Sequence, residues 1–148
     1  MTIIKRLGLA GALASTLAFG GCAETNSMLG RNQQTWTLRS DKPTIGAQGK
    51  VQVATDEKGN RDLKVEAKHL TPADTAFPGM TTYVVWLKPE NGQPLNIGVL
   101  SPDKDRNAKL ETKTPFTSFE IMVTAENGPT PMQPGSNEVL SAAVQVAS

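Results

Sequence analysis

Thiols and imidazoles are nearly missing from this chain, which has one cysteine, Cys22, and one histidine, His69. A lone thiol excludes an internal disulfide, so any small domain here must be held by its apolar core. One His and one Cys cannot complete a zinc or copper ligand set, and neither a metal nor any other cofactor is expected. Aromatic residues are sparse, with two Trp, one Tyr and four Phe. An excess of charge is lacking too, since 15 basic residues meet 14 acidic ones. Such near-neutrality gives no field to steer the chain onto nucleic acid or an anionic bilayer. Only one long apolar run exists, the 13 residues from Leu7 to Phe19. A membrane-spanning helix needs roughly 20.

What is present begins with that run. Lys5 and Arg6 precede it, and Gly20 and Gly21 follow it with the small side chains that a signal peptidase requires. The order of a charged start, a short apolar stretch and small residues predicts a secretory signal rather than a permanent anchor helix. Phe19-Gly20-Gly21-Cys22 further resembles the lipobox of bacterial lipoproteins, with Phe19 where Leu is commoner. That resemblance implies cleavage after Gly21, a diacylglycerol on the Cys22 sulfur, and an acyl chain such as palmitate on the new amino terminus. Two or more chains hold a protein durably at a membrane, whereas one holds it marginally. Ala23 resembles the outer-membrane sorting residue of enterobacteria. Residues 1–21 are thus expected to be a lipoprotein signal peptide, and 22–34 a flexible polar tether. Without Lys5 and Arg6 the balance is 13 basic to 14 acidic residues, or −1.

From residue 35 to 148 no stretch keeps a helical period, and short alternating segments recur between Gly, Pro, Asn and Asp. Leu63, Val65 and Ala67 share one face of the cleanest segment, with Asp62, Lys64, Glu66 and Lys68 on the other. Trp36 with Leu38, and Val51 with Val53, mark two more. Thr82–Leu87 is apolar on both faces, as in a central strand covered from each side or a strand at a core corner. Asp56–Asn60 and Asn91-Gly92 read as turns. Leu95, Ile97 and Val99 alternate, Leu110 marks a weak strand, and Phe119, Ile121 and Val123 face inward. Leu140, Ala142, Val144 and Val146 close the set. Seven or eight short strands predict an all-β fold, an antiparallel β-sandwich.

Chemistry is harder to place. His69 lies at a strand end, and a small hydrolase built on it would need a nucleophile elbow that the sequence does not contain. Asp103–Asn107 opens like a calcium loop, but Ala108 stands where the sharp turn needs Gly, and Thr114 where a bidentate Glu belongs. Trp36, Tyr83 and Trp86 suggest either a stacking platform or core. Phe77 and Met132 fall in two loops, where large apolar side chains suit an interaction patch, the other reading being that Phe77 folds back to cap the sandwich. No catalytic residue emerges, and the pattern points to a non-enzymatic domain.

The stretch from His69 to Val144 also resembles the extracytoplasmic domain of the anti-sigma-K factor family. The likeness is carried by Tyr83-Val84-Val85-Trp86-Leu87, by Asn91-Gly92-Gln93-Pro94 and by Gly98-Val99-Leu100. Phe119–Glu126, Gly128 and Pro131 ahead of Val139-Leu140 complete it. It covers about half the chain and implies an immunoglobulin-like sandwich outside the cytoplasm. The family's spanning helix and sigma-binding region have no counterpart here, so sigma-factor binding is not implied. The expectation is a lipid-anchored binding or sensing module of the cell envelope, facing the periplasm or exterior. Its partner would be an unidentified envelope protein or ligand; the alternative is an accessory to an anti-sigma pathway.

Overall fold

Alternation in the sequence becomes eight antiparallel strands in the computed structural model, which describes residues 32–40 and 46–147. Gly21, Cys22 and the expected tether as far as residue 31 lie outside the described residues. The strands are β1 (Asn32–Leu38), β2 (Gln48–Thr55), β3 (Arg61–Lys68), β4 (Thr82–Pro89), β5 (Leu95–Leu100), β6 (Ala108–Thr114), β7 (Ser118–Glu126) and β8 (Glu138–Gln145). One short helix, α1 (Ala73–Ala76), interrupts the β3–β4 connection. The domain starts earlier than expected, because Asn32, Gln33 and Gln34 pair with Thr55, Ala54 and Val53. Their polarity suits a tether in sequence, but an edge strand tolerates polar residues wherever its outer face meets water.

Two four-stranded sheets form the sandwich, ordered β1-β2-β3-β6 and β5-β4-β7-β8. In this order the distant strands β3 and β6 are neighbours, as are β4 and β7, with β8 beside β7. That is the immunoglobulin-like arrangement, here extended by β1 at one edge. The seam between β1 and β8 is closed by mutual backbone hydrogen bonds of Arg39 and Ser141, both 2.8 Å. Farther along, the Gln34 amide accepts from the Ala147 N–H at 3.1 Å and donates to its carbonyl at 3.2 Å.

Between the sheets lie Val51, Val53, Leu63, Val65, Tyr83, Val85, Leu87, Ile121, Val123 and Leu140, all fully or almost fully buried. Each such aliphatic side chain contributes about 1.5–3 kcal/mol by leaving water. The one departure from simple alternation is β5. A bulge between Val85 and Trp86 in the β4–β5 register leaves Ile97 without a partner, with Gly98 at φ 142°. Beyond the bulge Leu100 faces the core, while Val99 sits beside Val84 on the opposite face and Leu95 is 45% exposed. Gly98 also leaves room for a side chain of the other sheet at this edge, since a Cβ there would meet Leu110 Cδ1 at 2.8 Å.

The register gives the sandwich two unlike ends. Thr82 pairs with Glu126, Tyr83 with Leu100 and Ala67 with Ala108. The connections 69–81, 101–107 and 127–137 therefore share one end, here the loop end. Asn32 pairs with Thr55, Arg61 with Thr114 and Ser118 with Gln145. The first described residue, the 56–60 turn and the last described residues thus gather at the other end, the tether end.

Candidate functional site

At the loop end the 69–81 connection is drawn against the sandwich by its own apolar residues. Leu70 and Ala73 are buried, and the Leu70 N–H donates to the Arg106 carbonyl at 2.9 Å. Tyr83 is fully buried, and its hydroxyl donates to the Thr71 carbonyl. Burial, reinforced by the negative charge of Asp74, pushes its pKa up to about 12. Phe77 packs on the core rather than projecting, with its backbone N–H bonded to Ala73. Of the two readings open for Phe77, it takes that of a cap, partly buried against the core at this end of the sandwich.

Met132 is different. It stands 93% exposed on the 127–137 segment, which carries three prolines and no charged side chain. The base of that segment is fixed by hydrogen bonds. Glu126 Oε1 accepts from the Gly135 N–H and from the Thr124 hydroxyl, each at 2.6 Å. Thr124 Oγ1 in turn accepts from the Trp86 indole N–H at 2.8 Å, and Asn96 Nδ2 donates to the Pro129 carbonyl at 3.0 Å. Asn96 pairs with Trp86 in mid-sheet, so this segment folds back along the outer face of β5-β4-β7. Val84 and Trp86 point outward from the core yet are wholly buried. Glu126, Thr124 and Asn96 escaped sequence reasoning. The available signal was an acidic residue directly before a Gly/Pro-rich loop, facing the same way as the strand's only threonine, Thr124.

The remaining candidates separate cleanly. Of the three aromatics considered for a platform, Tyr83 and Trp86 are buried and only Trp36 is partly exposed. His69 is exposed, with the left-handed φ of 56°, and no side chain among the described residues hydrogen-bonds its ring. Asp103 spends one carboxylate oxygen on the N–H groups of Asp105 at 2.8 Å and Asn107 at 2.9 Å. Those bonds make it a turn former. Among the described residues no cluster of His, Cys, Asp or Glu could hold a metal ion, and no helix is long and apolar enough to cross a membrane. No protein-family model matches the chain, and no curated protein matches it.

Proposed function

We propose that this chain is a lipid-anchored, non-enzymatic binding module of a bacterial cell envelope, held through Cys22 and working at its loop end. The observation that carries the reading is the polarity of the sandwich. The described chain starts at Asn32 beside the 56–60 turn, while the loop that carries Met132 springs from the opposite end. Nine residues lie between Cys22 and Asn32, a reach of at most about 35 Å. A domain tethered there would turn its loop end away from the anchoring surface and toward other envelope components. An exposed methionine on a proline-stiffened, uncharged segment suits a protein partner, because stiffness lowers the ordering cost and methionine adapts to apolar sockets.

Photo-cross-linking of the full chain in its own bacterium tests this. A cross-linker at position 132 should capture a defined envelope component, one at Glu57 should not, and Met132→Asp should abolish complex formation. Equal capture from both positions, or none from position 132, would count against it. A second reading, an accessory role in an anti-sigma pathway, draws on the fact that the residues carrying that resemblance lie in β5-β4-β7-β8 and its connections. Deleting the gene and finding every sigma regulon unchanged would end it.

A further inference from the structure

Toward the tether end from Trp86, the outer face of β4-β7-β8 carries a groove of about 410 Å³, lined by Trp36, Lys88, Glu90, Ser118, Glu120 and Gln145 among others. The register explains why these side chains converge. Lys88 lies directly across from Glu120, Glu120 across from Ala143, and Ser118 across from Gln145. One row therefore holds a cation, an anion and a methyl group, with amide and hydroxyl groups in the next. Trp36 reaches the groove from β1, half-buried, with part of its indole packed on the core.

The polar groups here are not used by the fold. Among the described residues, the side chains of Lys88, Glu90, Glu120 and Gln145 make no hydrogen bond or ion pair with one another or with any neighbour. On the outer face of the other sheet, by contrast, Asp62, Glu66 and Glu111 are each held by a lysine.

We propose that this groove binds a neutral saccharide. Two carboxylates against one ammonium disfavour phosphate and other anions, and Lys88 disfavours a quaternary ammonium ligand. A pyranose with equatorial hydroxyls has an apolar C–H face to lay on Trp36. Its rim of hydroxyls donates to Glu90 and Glu120, accepts from Lys88 and does both with Gln145. The volume lies within the range of small-ligand sites. The site is separate from the loop end, and its test is indifferent to whether Cys22 is acylated.

The full chain would be titrated with cellotetraose and with the β-1,4-linked N-acetylglucosamine tetramer, followed by calorimetry and by NMR of the two indole N–H groups. Phosphatidylcholine vesicles with and without a glucosyl lipid would be compared in parallel. At least one saccharide probe should bind and move the Trp36 indole signal, leaving that of Trp86, bonded to Thr124, in place. Lys88→Ala and Glu120→Ala should each weaken binding about tenfold at an unchanged Tm, since neither side chain supports the fold. Response to the tetramers would assign the saccharide to a glycan chain, and response only to glucosyl vesicles to a lipid head group. No binding to either, affinity unaltered in both variants, or stronger responses to choline or inorganic phosphate would overturn the proposal.

Discussion

The two outward faces of this sandwich are built from the same alternation but put to different uses. On β1-β2-β3-β6, lysines and carboxylates pair both across and along strands. Lys50 and Lys64 lie 3.1 and 3.2 Å from Glu66, and Lys109 lies 3.7 Å from Glu111, while Lys113 meets Asp62. Such exposed pairs add little stability, and they keep the face solvated and discourage edge-to-edge association. On β5-β4-β7-β8 the corresponding positions hold Val84 and Trp86 under the 127–137 segment, and beside them Lys88 and Glu120, which have no partner among the described residues. Pairing neutralises one surface, while the other keeps its polar groups available. A face whose charges are mutually satisfied is a poor place to bind anything polar, so function is more economically sought on the second sheet.

That contrast can be broken most forcefully at Trp86. Trp86→Ala should cost about 3–5 kcal/mol in urea denaturation, whereas Gln52→Ala on the opposite outer face should cost less than about 0.5 kcal/mol. Comparable losses would mean that the 127–137 segment covers nothing of consequence. Next in size is Thr124→Val, which strands the buried indole N–H and should cost about 1–3 kcal/mol. Hydrogen exchange at the Gly135 amide should accelerate in the same variant, because Glu126 loses the hydroxyl that helps hold it in position.

Smaller effects sharpen the paired face. Burial raises the pKa of Glu66, but the hydrogen bonds and charges of Lys50 and Lys64 outweigh it and hold the carboxyl below the ordinary glutamate value. A depressed pKa stabilises the fold above the unfolded value, and the gain is lost as pH falls through the folded one. Wild type should therefore lose its advantage over Glu66→Gln as pH drops below about 4, by under about 1 kcal/mol given the pair's exposure. An advantage that did not shrink at all as pH fell through the acid range would contradict the pairing. The gentlest probe is optical. Tyr83 is the only tyrosine, and its pKa near 12 means the folded chain keeps a proton that the unfolded chain releases near pH 10. Phenolate absorbance should stay low through that range while stability declines with rising pH.

The sheets were legible because period-2 alternation is a direct consequence of strand geometry. Leu63, Val65 and Ala67 against Asp62, Lys64 and Glu66 could be read in only one register, and β3 has it. The two-sided burial of Thr82–Leu87 was legible too, since a strand apolar on both faces must be covered twice. What covers the second face was not legible, because it depends on a loop folding back, and Pro129, Pro131 and Pro134 set local stiffness without fixing direction. The β5 bulge was hidden for a similar reason: Leu95, Ile97 and Val99 alternate in sequence, and only pairing with β4 shows that Ile97 is the extra residue. From its loop Phe77 could be read as a contact residue or as a cap, and the short helix α1 carries that loop back onto the core. Nor could alternation separate paired from unpaired charge. Lys88 and Glu120 look no different from Lys113 and Asp62 until their surroundings are known.

The whole placement depends on the chain being held by acyl groups at Cys22, and intact mass spectrometry of the protein extracted from its own bacterium tests that directly. The account predicts a membrane-fraction polypeptide that begins at Cys22 and carries the added mass of a diacylglyceryl group and an amino-terminal acyl chain. A polypeptide that retains residues 1–21, or one with an unmodified Cys22 in the aqueous fraction, would contradict it.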